Sequence, residues 1–137
     1  MLTQTMTTSF KAQILQGVHD LSTDVIKIAL YTSNATLNAD TTVYTATEEV
    51  VGTGYTAGGL VATGITINTS DGVAYVGFSN AVWNPASFTA FGALIYNSSA
   101  ANKSVAVLSF GSNKASGTSF TIQMPSNNAT DALLRIS

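Results

Sequence analysis

Cysteine is absent from this chain, which excludes a disulfide framework and any thiolate metal site. Charge is scarce too: Asp, Glu, Lys and Arg make up 9% of residues, against roughly 25% in an ordinary soluble domain. The net charge is −2, and Lys11, Lys27, Lys103, Lys114 and Arg135 lie scattered along the sequence. Without a cluster of cations no nucleic-acid partner is expected, because phosphate contacts supply most of such affinity. No window approaches about 18 uninterrupted apolar residues, so neither a transmembrane helix nor a membrane partner is expected. Met1 to Thr8 lack a basic region and an apolar run, so no secretory signal is expected there.

What is present is 137 residues with an ordinary 45% hydrophobic content, enough for one domain with a single core. Thr, Ser and Asn stand where charges usually do. Such a surface stays wet without a strong field and is easier to desolvate against a neighbour, which favours assembly. Asn34, Asn68, Asn97, Asn102 and Asn128 begin Asn-X-Ser/Thr triplets; with no secretory route expected, they reflect composition and not glycosylation.

Residues 1–8 read as an extended, Thr-rich arm. A helix is predicted over 9–19, where Phe10, Ile14, Val18 and Leu21 form one apolar stripe. Thr8 or Ser9 would cap its start, and Gly17 would begin its end. After Ser22 the pattern alternates: Ile26, Ile28 and Leu30 share one strand face, Val25, Lys27, Ala29 and Tyr31 the other. Ser33 to Thr42 reads as a loop, and Val43 to Thr47 as a short edge strand. Asp71-Gly72 is a hairpin signal between strand patterns, and Pro85 ends a short run through Trp83.

In Phe88 to Asn97, Phe88, Leu94 and Tyr96 are expected on one face, with Phe91, Ala93 and Ile95 on the other. Val105 to Phe110 also loads both faces. Strands of this kind belong at the centre of a sheet covered twice. Gly111 to Thr118 reads as a loop, followed by strands at Phe120 to Met124 and Leu133 to Ile136. The fold expected is mainly β: a β-sandwich or partly closed barrel of about seven to nine short antiparallel strands, with one short N-terminal helix.

Catalytic parts are few. His19 is the lone histidine, and no nucleophile or orienting acid is placed beside it. Glu48 and Glu49 are adjacent, so on a strand they point to opposite faces and do not form a two-carboxylate site. Asp40, Asp71 and Asp131 stand alone in turns, with no calcium-loop spacing. The run Gly52 to Gly59 lacks the Lys of a phosphate loop and reads as a connection between strands. No catalytic residue, metal site or cofactor is therefore expected. Trp83, Tyr55, Tyr31 and Tyr44 are the aromatics to weigh as a glycan platform, Tyr55 and Trp83 first, against the plainer reading that they fill the core or line an oligomer interface.

The segment Phe10-Lys11-Ala12-Gln13-Ile14-Leu15-Gln16-Gly17-Val18-His19-Asp20, followed by Lys27-Ile28-Ala29-Leu30-Tyr31-Thr32, resembles a group of small tailed-bacteriophage proteins. Tyr44-Thr45-Ala46-Thr47-Glu48-Glu49 with Gly52-Thr53-Gly54-Tyr55, and Ala93-Leu94-Ile95-Tyr96-Asn97, extend the resemblance over most of the chain. It implies a virion structural protein of the head decoration, or cement, type, with a tail, collar or fibre role as the alternative. The expected partner is the major capsid protein or another virion protein, met by a homo-oligomer, with a trimer the simplest ring. The protein would be made in the host cytoplasm and carried on the capsid surface. The arm residues Thr3, Thr5, Thr7 and Thr8 would serve assembly by adding along a neighbour's sheet edge. The rival expectation is a carbohydrate- or receptor-binding module using Trp83.

Overall fold

The computed structural model describes residues 2–136. Ten strands and one helix follow in the order β1 (Thr5–Met6), α1 (Thr8–Leu15), β2 (Ile26–Tyr31), β3 (Leu60–Val61), β4 (Thr66–Ser70), β5 (Val73–Gly77), β6 (Ala81–Trp83), β7 (Thr89–Asn97), β8 (Lys103–Ala115), β9 (Phe120–Ile122) and β10 (Leu134–Ile136). They form a five-stranded sheet β1-β8-β7-β2-β3, a three-stranded sheet β10-β5-β4 and the pair β6-β9. Every strand pairing is antiparallel. The arrangement is sandwich-like and no barrel closes.

The five-stranded sheet is covered on both faces, as its two-sided apolar strands require. Ile26, Ile28 and Leu30 of β2 face the larger core with Trp83, Phe120, Ile122, Leu134 and Phe10. Ala29 and Tyr31 face a smaller core built with Leu2, Ala35 and Leu37. The small sheets and α1 cover one face; the arm and the 33–44 loop cover the other.

Four local expectations are corrected. The helix spans Thr8–Leu15, not 9–19, and its cap is Thr7, whose hydroxyl accepts the Phe10 N–H. Gly17, at φ +70°, stops it. The Gly17 N–H donates to Ile14 O and the Val18 N–H to Gln13 O, the paired bonds of a Schellman ending. The apolar stripe runs on past the helix because Leu21 enters the core from the turn.

β8 runs to Ala115, so Gly111 to Ala115 is strand and not loop. Phe88 packs in the larger core and Phe91 against the smaller one, the reverse of the expected faces. The cause is an irregularity in the β7–β8 register between Ala90 and Gly92, where Phe91 alone stands against residues 110–113 of β8 and the alternation inverts. Val43 to Thr47 forms a single bridge, Val43 to Lys103, and not a strand.

The 1–8 segment is extended, but on its own chain. β1 pairs with β8, the Thr3 N–H donates to Leu37 O at 2.9 Å, and the Thr8 N–H donates to Ala39 O at 2.8 Å. Leu2 is buried and Thr7 is 0% exposed. The hairpin at Asp71-Gly72 forms as expected: both residues have positive φ, the signature of a type I′ turn.

Candidate functional site

The most developed polar constellation surrounds Glu49. This carboxylate is buried. Its Oε1 accepts the Tyr44 hydroxyl at 2.6 Å. Its Oε2 accepts the Tyr55 hydroxyl and, at 2.8 Å, the Gly58 N–H. The Tyr55 oxygen in turn accepts the Leu30 N–H at 3.0 Å. Tyr96 donates to Gly58 O at 2.5 Å, and its ring stacks on Tyr44 with centroids 4.8 Å apart. Burial first, and the Glu49 carboxylate second, push the Tyr44, Tyr55 and Tyr96 hydroxyls above their ordinary pKa. These phenols are held as donors and not as acids.

The cluster seals an edge. β3 covers only Lys27 and Ile28 of β2. Beyond it the Val50 N–H donates to Leu30 O and the Thr32 N–H to Glu48 O, both at 2.9 Å. The glycine run makes this close approach feasible. At Gly59, φ +82°, a Cβ would lie 1.8 Å from Ile28 O. Glu48 is exposed and Glu49 buried, so the adjacent acids do point apart. What sequence reasoning missed is the convergence of Tyr31, Tyr44, Tyr55 and Tyr96 around one of them. Their spacing gives no periodic signal, since Tyr31 ends β2, Tyr96 lies on β7, and Tyr44 and Tyr55 lie in the irregular connection between β2 and β3.

A second network holds the helix to the sheet. His19 Nε2 lies 2.8 Å from Gln13 Oε1, and Nδ1 lies 3.0 Å from Asn97 Nδ2. The Asn97 amide nitrogen also donates to Asp24 Oδ2 at 2.7 Å, while its Oδ1 accepts the Ser99 N–H. That orientation makes Asn97 a donor to Nδ1, which assigns the neutral, Nε2-protonated tautomer. Burial lowers the His19 pKa; Asp24 opposes the shift and Lys103 adds to it. His19 thus braces the turn after α1, with the Phe10 ring 5.0 Å away.

Trp83 is buried, its ring 6.1 Å from Phe120 and 6.4 Å from Tyr55. Both aromatics belong to the larger core and not to a groove. Thr3, Thr5, Thr7 and Thr8 are brought together only as the arm along β8 and the 37–39 loop. Among the described residues no group of three or more His, Asp or Glu side chains gathers as a metal site.

The surface feature that stands out lies between α1 and the three-stranded sheet. A cleft of about 400 Å³ is lined by Phe10, Ile14, Leu21, Ile67, Val76 and Ile136. A neighbouring hollow shares Phe10, Ile14 and Ile136 and adds Leu15. Leu15 is 89% exposed, and Ile67 and Ile136 are each 50% exposed. No protein-family model matches the chain, and no curated protein or solved structure matches it either.

Proposed function

We propose that this chain is a non-enzymatic structural protein of a phage virion, decorating or cementing the capsid through contacts with the major capsid protein and with copies of itself. The observation that carries the assembly reading is the apolar surface running from Leu15 past Ile136 to Ile67 on a chain with few charges. Contiguous exposed apolar area of this kind marks a site of interaction. The hydroxyl- and amide-rich surroundings suit a wide, wet interface. The virion placement rests on the resemblance of the 10–20, 27–32, 44–49, 52–55 and 93–97 segments to small tailed-phage proteins.

Both strongest polar clusters are built like structural braces, with their donors and acceptors turned inward on one another. The carbohydrate-binding alternative loses its principal aromatic, because buried Trp83 presents no face to a sugar. Light scattering on the purified protein, alone and with empty capsids, tests the proposal. Co-elution with capsids in a fixed stoichiometry supports it. A protein that ignores capsids at every concentration overturns it.

A further inference from the structure

The sheet edges of this molecule are not equally defended. β1 and β3 are two residues each. β10 is three residues with Arg135 at its centre. The far end of β8 carries Lys114 and a positive-φ Gly111. Short strands, cations and backbone irregularities are the usual means of stopping edge-to-edge pairing. β4 has none of them. Thr66-Ile67-Asn68-Thr69-Ser70 is a regular five-residue outer strand, uncharged, free of Pro and Gly, and exposed throughout.

The hairpin determines which of its backbone groups are free. Asp71-Gly72 closes a two-residue turn, so Ser70 bonds to Val73 across it. Antiparallel pairs alternate between bonded and non-bonded. Asn68 and Thr66 therefore spend their N–H and C=O groups on Tyr75 and Gly77, whereas those of Ile67 and Thr69 point outward.

We infer that β4 pairs antiparallel with β4 of a second copy about a two-fold axis through Asn68. In that register Ile67 faces Thr69 of the other copy twice over, which forms four main-chain hydrogen bonds. Asn68 meets its own counterpart in a non-hydrogen-bonded position, and Thr66 meets Ser70. The result is a continuous six-stranded sheet, β10-β5-β4 extended by its mirror order. The half-exposed Ile67 gains cover on the side facing the cleft.

Charge does not oppose the contact. β4 has no charged residue, and the two Asp71 carboxylates fall at opposite ends, about 20 Å apart at the strand rise and beyond the screening length. An isologous contact closes at two copies, so a trimeric ring would need a second, different interface. The inference stands on the strand geometry and does not require the virion assignment; capsid binding and self-pairing can fail separately.

Single-cysteine variants test it, and the natural chain contributes no competing thiol. In Asn68→Cys the two thiols sit across the axis within disulfide reach; in Thr66→Cys they are about 13 Å apart, beyond it. Mild oxidation is expected to give at least about tenfold more covalent dimer from Asn68→Cys than from Thr66→Cys. Equal yields, or no dimer at either position, overturn the inference. Asn68→Lys places like charges face to face and leaves β5 pairing intact; light scattering is expected to show the natural chain's dimer lost. An unchanged mass for Asn68→Lys, or a natural chain that stays monomeric at millimolar concentration, also overturns it.

Discussion

Replacing Glu49 by alanine removes one acceptor group from three donors: the hydroxyls of Tyr44 and Tyr55 and the N–H of Gly58. Tyr44 is half-buried and can turn toward water, so most of the loss falls on the other two. A buried donor left without a partner costs about 1–3 kcal/mol. Relief of the carboxylate's own desolvation offsets part of this. The net destabilisation expected for Glu49→Ala is about 3 kcal/mol. For a domain of this size that lowers Tm by about 10 °C. Glu49→Gln keeps an oxygen for Tyr55 and Gly58, and its amide can donate to a rotated Tyr44 hydroxyl; the expected cost is about 1 kcal/mol. Glu48→Ala alters only an exposed carboxylate held by Thr32 and is expected to fall within about 0.5 kcal/mol of the natural chain. Thermal and urea unfolding followed by circular dichroism rank the three. A Glu49→Ala protein as stable as Glu48→Ala would refute the reasoning, because the cage would then be hydrated or dispensable.

Leu2 is 6% exposed and packs in the smaller core. Leu2→Ala is expected to cost about 2–4 kcal/mol by chemical denaturation, where an unattached arm would show no change. Gly59→Ala meets Ile28 O at positive φ, so at least about 2 kcal/mol is expected to be lost in the same assay. The pH dependence of stability follows from the lowered pKa of His19. The unfolded chain binds the proton first, so stability is full above the ordinary value of 6.5 and declines as pH falls below it. Asp20 and Asp24 are also lowered, by their hydrogen bonds to Ser22 and Asn97 respectively, and their contribution is lost only as pH falls below 3.8. Urea midpoints measured from pH 8 to 3 are expected to fall in two stages, and His19→Gln to flatten the first alone.

Much of the central sheet was legible because alternation survives wherever pairing is regular. Ile26, Ile28 and Leu30 take one face of β2 and Ala29 and Tyr31 the other, as the period of two requires. The Asp71-Gly72 turn was equally readable, since positive φ at both positions restricts the residues that fit. Legibility failed where a single residue changes the phase. The register irregularity at Phe91 exchanged two aromatics between cores, and no composition signal marks it. Helix length was overread because Phe10, Ile14, Val18 and Leu21 keep helical spacing across Gly17. The apolar stripe marked Phe10 and Leu21 as buried, but Ile14 and Val18 are only half-buried and the helicity was wrong.

The Glu49 cage was invisible for a different reason. Tyr44, Tyr55 and Gly58 lie within nine residues of Glu49, but in an irregular connection where a lone acid among tyrosines carries no spacing rule. Glu49 and Glu48 do point apart, but at a turn where Glu48 has φ +62° and not by strand alternation. The arm was read as extended, but its destination depended on Leu37 and Ala35 being buried in a segment that looked like polar loop.

The way edges are closed links these features to assembly. The outer side of β2 is sealed by β3, by residues 48–50 and by the Tyr55 hydroxyl, with Glu49 holding Tyr55 and the Gly58 N–H just before β3. The outer side of β8 is sealed at its middle by the arm, with Gln4 Oε1 accepting the Ser109 N–H beyond β1. Non-strand segments are thus committed, residue by residue, to satisfying the backbone of the five-stranded sheet. A chain with so few charges cannot rely on lysine at every edge, so it covers them with its own backbone. Against that background a fully exposed, regular β4 is not explained by economy of charge. Its free N–H and C=O groups need water or a partner, and the strand that bonds them most completely is an inverted copy of itself.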